Sequence, residues 1–213
     1  YYVKKIIYRF PLFTSKKNKN WILKDQNAIK YKLPGKTFIP PEFIRLEPWE
    51  MEYIFNVAMF SKKGIVEIGR KKGGSILTFG LANDKIKIWS IDNDPENDER
   101  LKKIMEHFKI KNVNLITGDS QKTSYDEISS YDLLFIDGDH SYQGCLNDLN
   151  NWWGKLSLGG HIILHDCYAF TEVQKAVIEF LNDKNVEFIV SPYRGHEHWF
   201  NRVSGSLCHF IKK

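Results

Sequence analysis

Cysteine is scarce in this 213-residue chain, and the three present, Cys145, Cys167 and Cys208, are too few and too scattered for a disulfide framework. None forms a C-x-x-C pair of the zinc or redox kind, so they read as small buried residues of a reducing, intracellular compartment. No apolar run approaches the roughly 18 to 20 residues that a bilayer span requires, and no basic start, apolar centre and small-residue cleavage site occur together. A cytoplasmic protein is the expectation. The chain opens at Tyr1 rather than Met, so a targeting signal ahead of it would not be visible. Internal repeats are absent, the only low-complexity tract is "KKNKN" at residues 16–20, and no recognised nucleic-acid-binding motif is found.

The proportions that are present, 42% hydrophobic and 27% charged, belong to a globular protein rather than a disordered one. The length suits one α/β domain whose core needs no disulfide or structural metal. Charge is unevenly spread: residues 1–36 hold ten Lys and Arg against one acid, Asp25, and the remainder holds 21 against 25, dividing the net +5 into +9 and −4. The basic character therefore belongs to an arm, residues 1–46, in which aromatics mix with lysines, and the body, residues 47–213, is mildly acidic. Such an arm suits nucleic acid, an anionic membrane surface or a partner subunit. The expectation is an extension packed on the body or on a second copy in a homo-oligomer. A nucleic-acid-associated protein using the arm is the alternative.

From Glu47 onward the pattern is regular. "EPWEMEYIFNVAMF" puts Pro48 near a helix start, with Met51, Ile54, Phe55 and Ala58 at helical spacing. Short apolar strands follow at residues 64–69, 86–92, 113–118, 131–137 and 160–165, separated by helices in "GGSILTFGLA", "PENDERLKKIMEHF" and "SYQGCLNDLNNWWGKL", with a short one near "SYDEISS". That alternation predicts βαβ units around a parallel sheet: a Rossmann-like, doubly wound α/β fold. After the helix "TEVQKAVIEFLND" come two strands, "VEFIVSPY" and "GSLCHFIKK", joined without a helix, which predicts an antiparallel C-terminal edge.

Ligands of such sheets bind beyond the carboxyl ends of the strands, near the reversal of strand order. Nearly every strand here ends in a carboxylate: Glu67, Asp92, Asp119, Asp137 with Asp139 and His140, then His165 with Asp166. The first turn, "VEIGRKKGGS", places Gly69, Gly73 and Gly74 between strand and helix, where glycine lets a ligand approach the backbone and the helix start offers free N–H groups. Asp92, ending the next strand, is placed to accept both ribose hydroxyls of a nucleoside. The spacing is not G-x-G-x-x-G, and Glu67 would repel a pyrophosphate, so a nucleoside carrying a cationic amino acid fits better than a dinucleotide.

The ordered set "VEIGRKKGGS", "SIDNDPE", "ITGDS", "FIDGDHSYQG" and "LSLGGHIILHDCY" resembles the class I S-adenosylmethionine-dependent methyltransferases, in particular the small-molecule and sugar O-methyltransferases typified by macrocin O-methyltransferase. The resemblance covers roughly Glu47 to Tyr168. It implies that S-adenosylmethionine is held by Glu67, Gly69, Gly73, Gly74 and Ser75 at its methionine part, by Asp92 at the ribose, and by Asp119 and Ser120 near the adenine, with Asp137 adjoining. It also implies a divalent metal, Mg²⁺ or Mn²⁺, on Asp137, His165 and Asp166, and Asp139 as general base, with His140 its rival by virtue of a pKa near neutrality. His165 departs from the pattern, because better-known relatives carry a carboxylate there, and histidine shifts preference toward Mn²⁺, Fe²⁺ or Zn²⁺. The implied acceptor is a hydroxyl of a small molecule or sugar. "RGHEHWF", residues 194–200, lacks zincin spacing and reads as a surface loop, and Trp152 and Trp153 read as core or interface.

Overall fold

Pro48 opens helix α1 (Pro48–Ala58), where its missing N–H costs nothing, and Glu47 and Glu50 exchange side-chain and backbone hydrogen bonds in a reciprocal cap. The computed structural model describes residues 31–32, 38–122, 125–190 and 207–213. Beyond α1, helices α2 (Gly74–Ala82), α3 (Asp98–His107), α4 (Tyr142–Trp153) and α5 (Thr171–Leu181) flank one sheet. A two-residue ladder, β1 (Tyr31–Lys32) with β2 (Phe38–Ile39), stands apart from it.

The sheet contains β3 (Ile65–Ile68), β4 (Ile88–Asp92), β5 (Val113–Thr117), β6 (Tyr131–Ile136), β7 (Leu156–Leu164), β8 (Val186–Val190) and β9 (Cys208–Lys212), in the order β5-β4-β3-β6-β7-β9-β8. Strands β3 to β7 pair in parallel. β9 runs antiparallel to both neighbours, one position in from the edge strand β8. The order reverses between β3 and β6, so the crevice of the fold opens where these two strands end.

Alternation along the strands builds two cores. Ile65, Leu133, Phe135 and Ile163 face α1, α2 and α3 with Met51, Ile54, Ile76, Phe79 and Leu101. Val66, Ile68, Leu134, Ile136, Ile162 and Leu164 face α4 and α5 with Leu149, Trp152, Val177 and Phe180. Period two puts Glu67 of β3 on the α1 and α2 side and carries on past the ends of β6 and β7, so Asp137 and His165 fall there too. All three cysteines are buried and free, and Trp152 is buried against Tyr125, with ring centroids 5.7 Å apart.

Three details differ from expectation. α3 starts at Asp98 rather than near Pro95, because Asp92 Oδ1 and Asp94 Oδ1 accept the N–H groups of Asp94 and Glu96 and hold the preceding segment in turns. Residues 125–130 form a turn closed by the Ile128 N–H on the Tyr125 carbonyl, not a helix, with Tyr125 and Ile128 as its two buried anchors. β7 begins at Leu156, its register against β6 shifting between Tyr131 and Leu133 to admit the extra residues. Ile39, Phe43 and Leu46, at the end of the arm, are buried in the core shared with α1 and α2. Residues 1–30 and the "RGHEHWF" stretch lie outside the described residues.

Candidate active site at the carboxyl rim of the sheet

The crevice begins where Gly69 and Asp137 touch. Gly69 has φ +82, and a Cβ there would lie 2.1 Å from the Asp137 carbonyl oxygen, so only glycine lets β3 and β6 finish side by side. The turn then continues through Lys71, itself at φ 44, to Gly73 and the start of α2. Asp92 braces it: its Oδ2 accepts the backbone N–H of Arg70 at 2.7 Å and of Lys71 at 2.9 Å, and its Oδ1 that of Asp94 at 2.8 Å. Sequence reasoning leaves Asp92 free for a ligand, whereas here it already orders the turn that the ligand would meet.

Glu67 lies beneath the turn with no exposure, its two oxygens accepting the hydroxyls of Ser75 and Ser90. Burial pushes its carboxyl up to about 7 against the pull of these hydrogen bonds. Arg70, which sequence reasoning passes over, is buried beside it and forks onto Asp98, with Nε to Oδ1 at 2.7 Å and Nη2 to Oδ2 at 2.8 Å. Its Nη1 donates to the carbonyls of Ser90 and Ile116 at 2.9 and 3.1 Å, lacing the ends of β4 and β5 to the turn.

On the far side of the crevice Ser120 Oγ donates to Asp148 Oδ1 at 2.7 Å. Asp148, on α4, is buried, its Oδ2 has no hydrogen-bond partner among the described residues, and burial pushes its carboxyl up to about 7. Its signal in the sequence is a carboxylate sharing the apolar face of Cys145, Leu149 and Trp152. Asp119 accepts the Gln121 N–H at 2.9 Å and pairs with Lys122 at 2.8 Å.

Across the switch point four groups converge. Asp137, His140 and Asp166 each offer one ligand atom within 4.8 Å of the others. His140 Nε2 lies 3.6 Å from Asp137 Oδ1 and 3.3 Å from Asp166 Oδ2, and His165 Nδ1 lies 3.3 and 3.1 Å from the same two atoms. Asp166 has φ 59, a left-handed conformation that aspartate tolerates and that turns the chain just past β7. Glu50 of α1, also passed over by sequence reasoning, brings Oε2 to 3.1 Å from His165 Nε2. Burial opposes charge on His165, but Asp137, Asp166 and Glu50 outweigh it and raise the imidazole to about 12. Conversely, burial of Asp137 is outweighed by His140 and His165, which hold its carboxyl below the usual range.

The residues present fit a divalent cation. His140 Nε2 and His165 Nδ1 are buried and make no hydrogen bond among the described residues, although both face carboxylate oxygens. Two carboxylates and two imidazole nitrogens form a donor set suited to Mn²⁺, Fe²⁺ or Zn²⁺. His140 thus stands in the cluster with Asp137, while Asp139 turns elsewhere: its Oδ1 accepts the Ser141 N–H at 2.8 Å, its Oδ2 meets Gln121 at 3.4 Å, and its carboxyl is lowered chiefly by the Ser141 bond.

A parallel sheet reversing at β3 and β6, with a glycine turn at the reversal and a carboxylate closing β4, defines a nucleoside-binding protein of the Rossmann-like class. A family model described as a methyltransferase domain matches residues 66–167. A Sulfurisphaera tokodaii protein named a probable cobalt-precorrin-6B C(15)-methyltransferase (decarboxylating) is 32% identical over 155 residues, 68% of this chain and 77% of that protein. An uncharacterized protein, R132, of Acanthamoeba polyphaga mimivirus is 38% identical over 114 residues, 47% of this chain and half of the viral protein's length. Among solved structures, the SAH-bound Podospora anserina methyltransferase PaMTH1 shares the fold at a TM-score of 0.62 and 15% identity, covering 79% of this chain and 80% of that one. The chain belongs to the class I S-adenosylmethionine-dependent methyltransferases.

Proposed function

We propose that this chain transfers the sulfonium methyl group of S-adenosylmethionine to a hydroxyl oxygen of a small molecule, with a sugar as the favoured acceptor, assisted by a divalent cation. The observation that carries the reading is the pair of buried imidazole nitrogens, on His140 and His165, that face Asp137 and Asp166 without hydrogen bonds beside the glycine turn. Asp137, His165 and Asp166 would hold the cation, and His140 would stand beside it uncoordinated. Bound there, it would supply Lewis acidity that lowers the pKa of an acceptor hydroxyl.

The remaining work falls to the chain itself. The turn from Gly69 to Gly74 offers backbone N–H groups and close approach to the amino-acid end of the cofactor, and Asp92, already ordering that turn, adjoins the ribose. Asp119, Ser120 and the buried Asp148 border the adenine side. In the transfer the carbon–sulfur bond breaks as the carbon–oxygen bond forms, S-adenosylhomocysteine leaves, and the hydroxyl proton passes to a base. His140 is favoured for that proton over Asp139, whose lowered carboxyl is committed to Ser141. Phe170, 43% exposed and stacked on His140 at 4.3 Å between ring centroids, gives the acceptor a flat apolar wall.

Calorimetry with S-adenosylhomocysteine tests the cofactor part: binding is expected, and Asp92→Ala is expected to abolish it. No binding at millimolar concentration would end the reading. The name of the archaeal relative raises methylation at carbon as the competitor. Methyl transfer lost to a chelator and restored by Mn²⁺ or Mg²⁺ favours oxygen, and indifference to chelation favours carbon.

A further inference from the structure

We propose that Glu50 is a positioning residue for the donor cluster: it holds the Nε2–H of His165 and so aims Nδ1 at the point shared with Asp137 and Asp166. This rests on the reading that Asp137, His165 and Asp166 take a divalent cation.

Glu50 belongs to α1, 115 residues away in sequence from the histidine it meets. Its side chain is 1% exposed, and no Lys or Arg among the described residues pairs with it. A glutamate at this position of a helix start ordinarily caps from the surface. Here Oε2 accepts the Glu47 N–H at 2.9 Å and lies 3.1 Å from His165 Nε2, while the buried Oε1 has no hydrogen-bond partner among the described residues. The helix cap therefore fixes the carboxylate, and the carboxylate fixes the ring.

An imidazole has two nitrogens, and assigning the proton of one decides what the other can do. With Nε2–H given to Glu50, the proton that a cation would displace is the one on Nδ1, which lies 3.3 Å from Asp137 Oδ1 and 3.1 Å from Asp166 Oδ2 with no hydrogen bond of its own among the described residues. Adjacent ligands of an octahedral ion at about 2.1 Å stand roughly 3 Å apart, so these spacings leave room for a shared cation. A carboxylate behind a ligating histidine orients the ring and raises its basicity. Glu50 also explains how histidine can occupy a rim position otherwise suited to an acid: the third carboxylate stands behind the ring rather than in its place.

Titration of the full chain with MnCl₂ by calorimetry tests the proposal, using Glu50→Ala and Glu50→Gln, each alone and combined with His165→Ala. Glu50→Ala is expected to weaken Mn²⁺ binding roughly 10- to 100-fold. Glu50→Gln, whose amide oxygen still accepts from Nε2–H, should lose less than that and more than nothing. With His165→Ala already present, neither Glu50 change should weaken binding further, since a residue acting through another is not additive with it. Equal losses in both backgrounds would make Glu50 a helix cap alone and overturn the inference, as would unaltered affinity in Glu50→Ala. If that variant does not fold, the Glu50→Gln pair decides on the same criterion. Failure of the unaltered chain to bind Mn²⁺ would instead overturn the metal-assisted reading, and the inference with it.

Discussion

Arg70 and Asp98 meet through two N–H···O bonds of 2.7 and 2.8 Å beneath the glycine turn, a fork that lysine cannot reproduce. Arg70→Met would leave the Asp98 carboxylate and the carbonyls of Ser90 and Ile116 without their donor. A loss of about 3 to 5 kcal/mol is expected in urea unfolding, with weaker S-adenosylhomocysteine binding in whatever fraction folds. Arg70→Lys, keeping charge but not the fork, should fall between that variant and the unaltered chain.

At Gly69 an added methyl group would collide with backbone rather than with a side chain that can move, since the nearest atoms are Asp137 O, Asp137 C and Gly138 Cα. Positive φ adds its own strain. Gly69→Ala is expected to cost about 3 kcal/mol and to displace Asp137, so cofactor and Mn²⁺ affinities should fall together. Independent behaviour of the two affinities would separate the glycine turn from the donor cluster.

Asp148 gives a pH dependence of definite sign. Its folded carboxyl lies at about 7 against 3.8 in the open chain, so the folded state keeps a proton that the unfolded state releases. Stability from this group is full below pH 3.8, declines as pH rises, and is lost once pH passes about 7. Asp148→Asn should therefore lie close to the unaltered chain near pH 4 and exceed it by ~4 kcal/mol at pH 8. Denaturation curves at those two pH values check this, and a gain at both would refute the attribution.

The opposite sign is expected from His209 and His161, which meet beside Tyr53. Tyr53 OH donates to His209 Nδ1 at 2.5 Å, leaving Nε2–H to face His161 Nδ1 at 2.9 Å. Burial holds both imidazoles below their usual 6.5, so the unfolded state takes up protons first and stability is lost as pH falls below that value. His209→Gln should flatten the decline between pH 7 and pH 5. Tyr53→Phe, which strips His209 of its donor, should cost ~1 to 3 kcal/mol at neutral pH.

Local signals carried much of this molecule. Runs such as "LLFID" announce buried parallel strands because hydrophobic burial on both faces leaves no polar alternation, and the charges that end them mark the rim. Pro48 and the Ser141 cap, whose hydroxyl accepts the Gly144 N–H at 3.1 Å, likewise act within a few residues. Long-range contacts were not legible in the same way. Glu50 meeting His165, Arg70 meeting Asp98, and Ser120 meeting Asp148 depend on how elements dock, and a periodicity argument tells only that an acid lies on a buried face. The position of β9 between β7 and β8 is of this kind too, because two consecutive strands predict their mutual pairing but not which one meets the sheet.

That placement orders events in time. Among the described residues β8 has no neighbour in the sheet except β9, and β7 has only β6 until β9 arrives. During synthesis, then, β3 to β7 can assemble while β8 waits unpaired, and the sheet is completed only when residues 208–212 leave the ribosome and slot between two strands made before them.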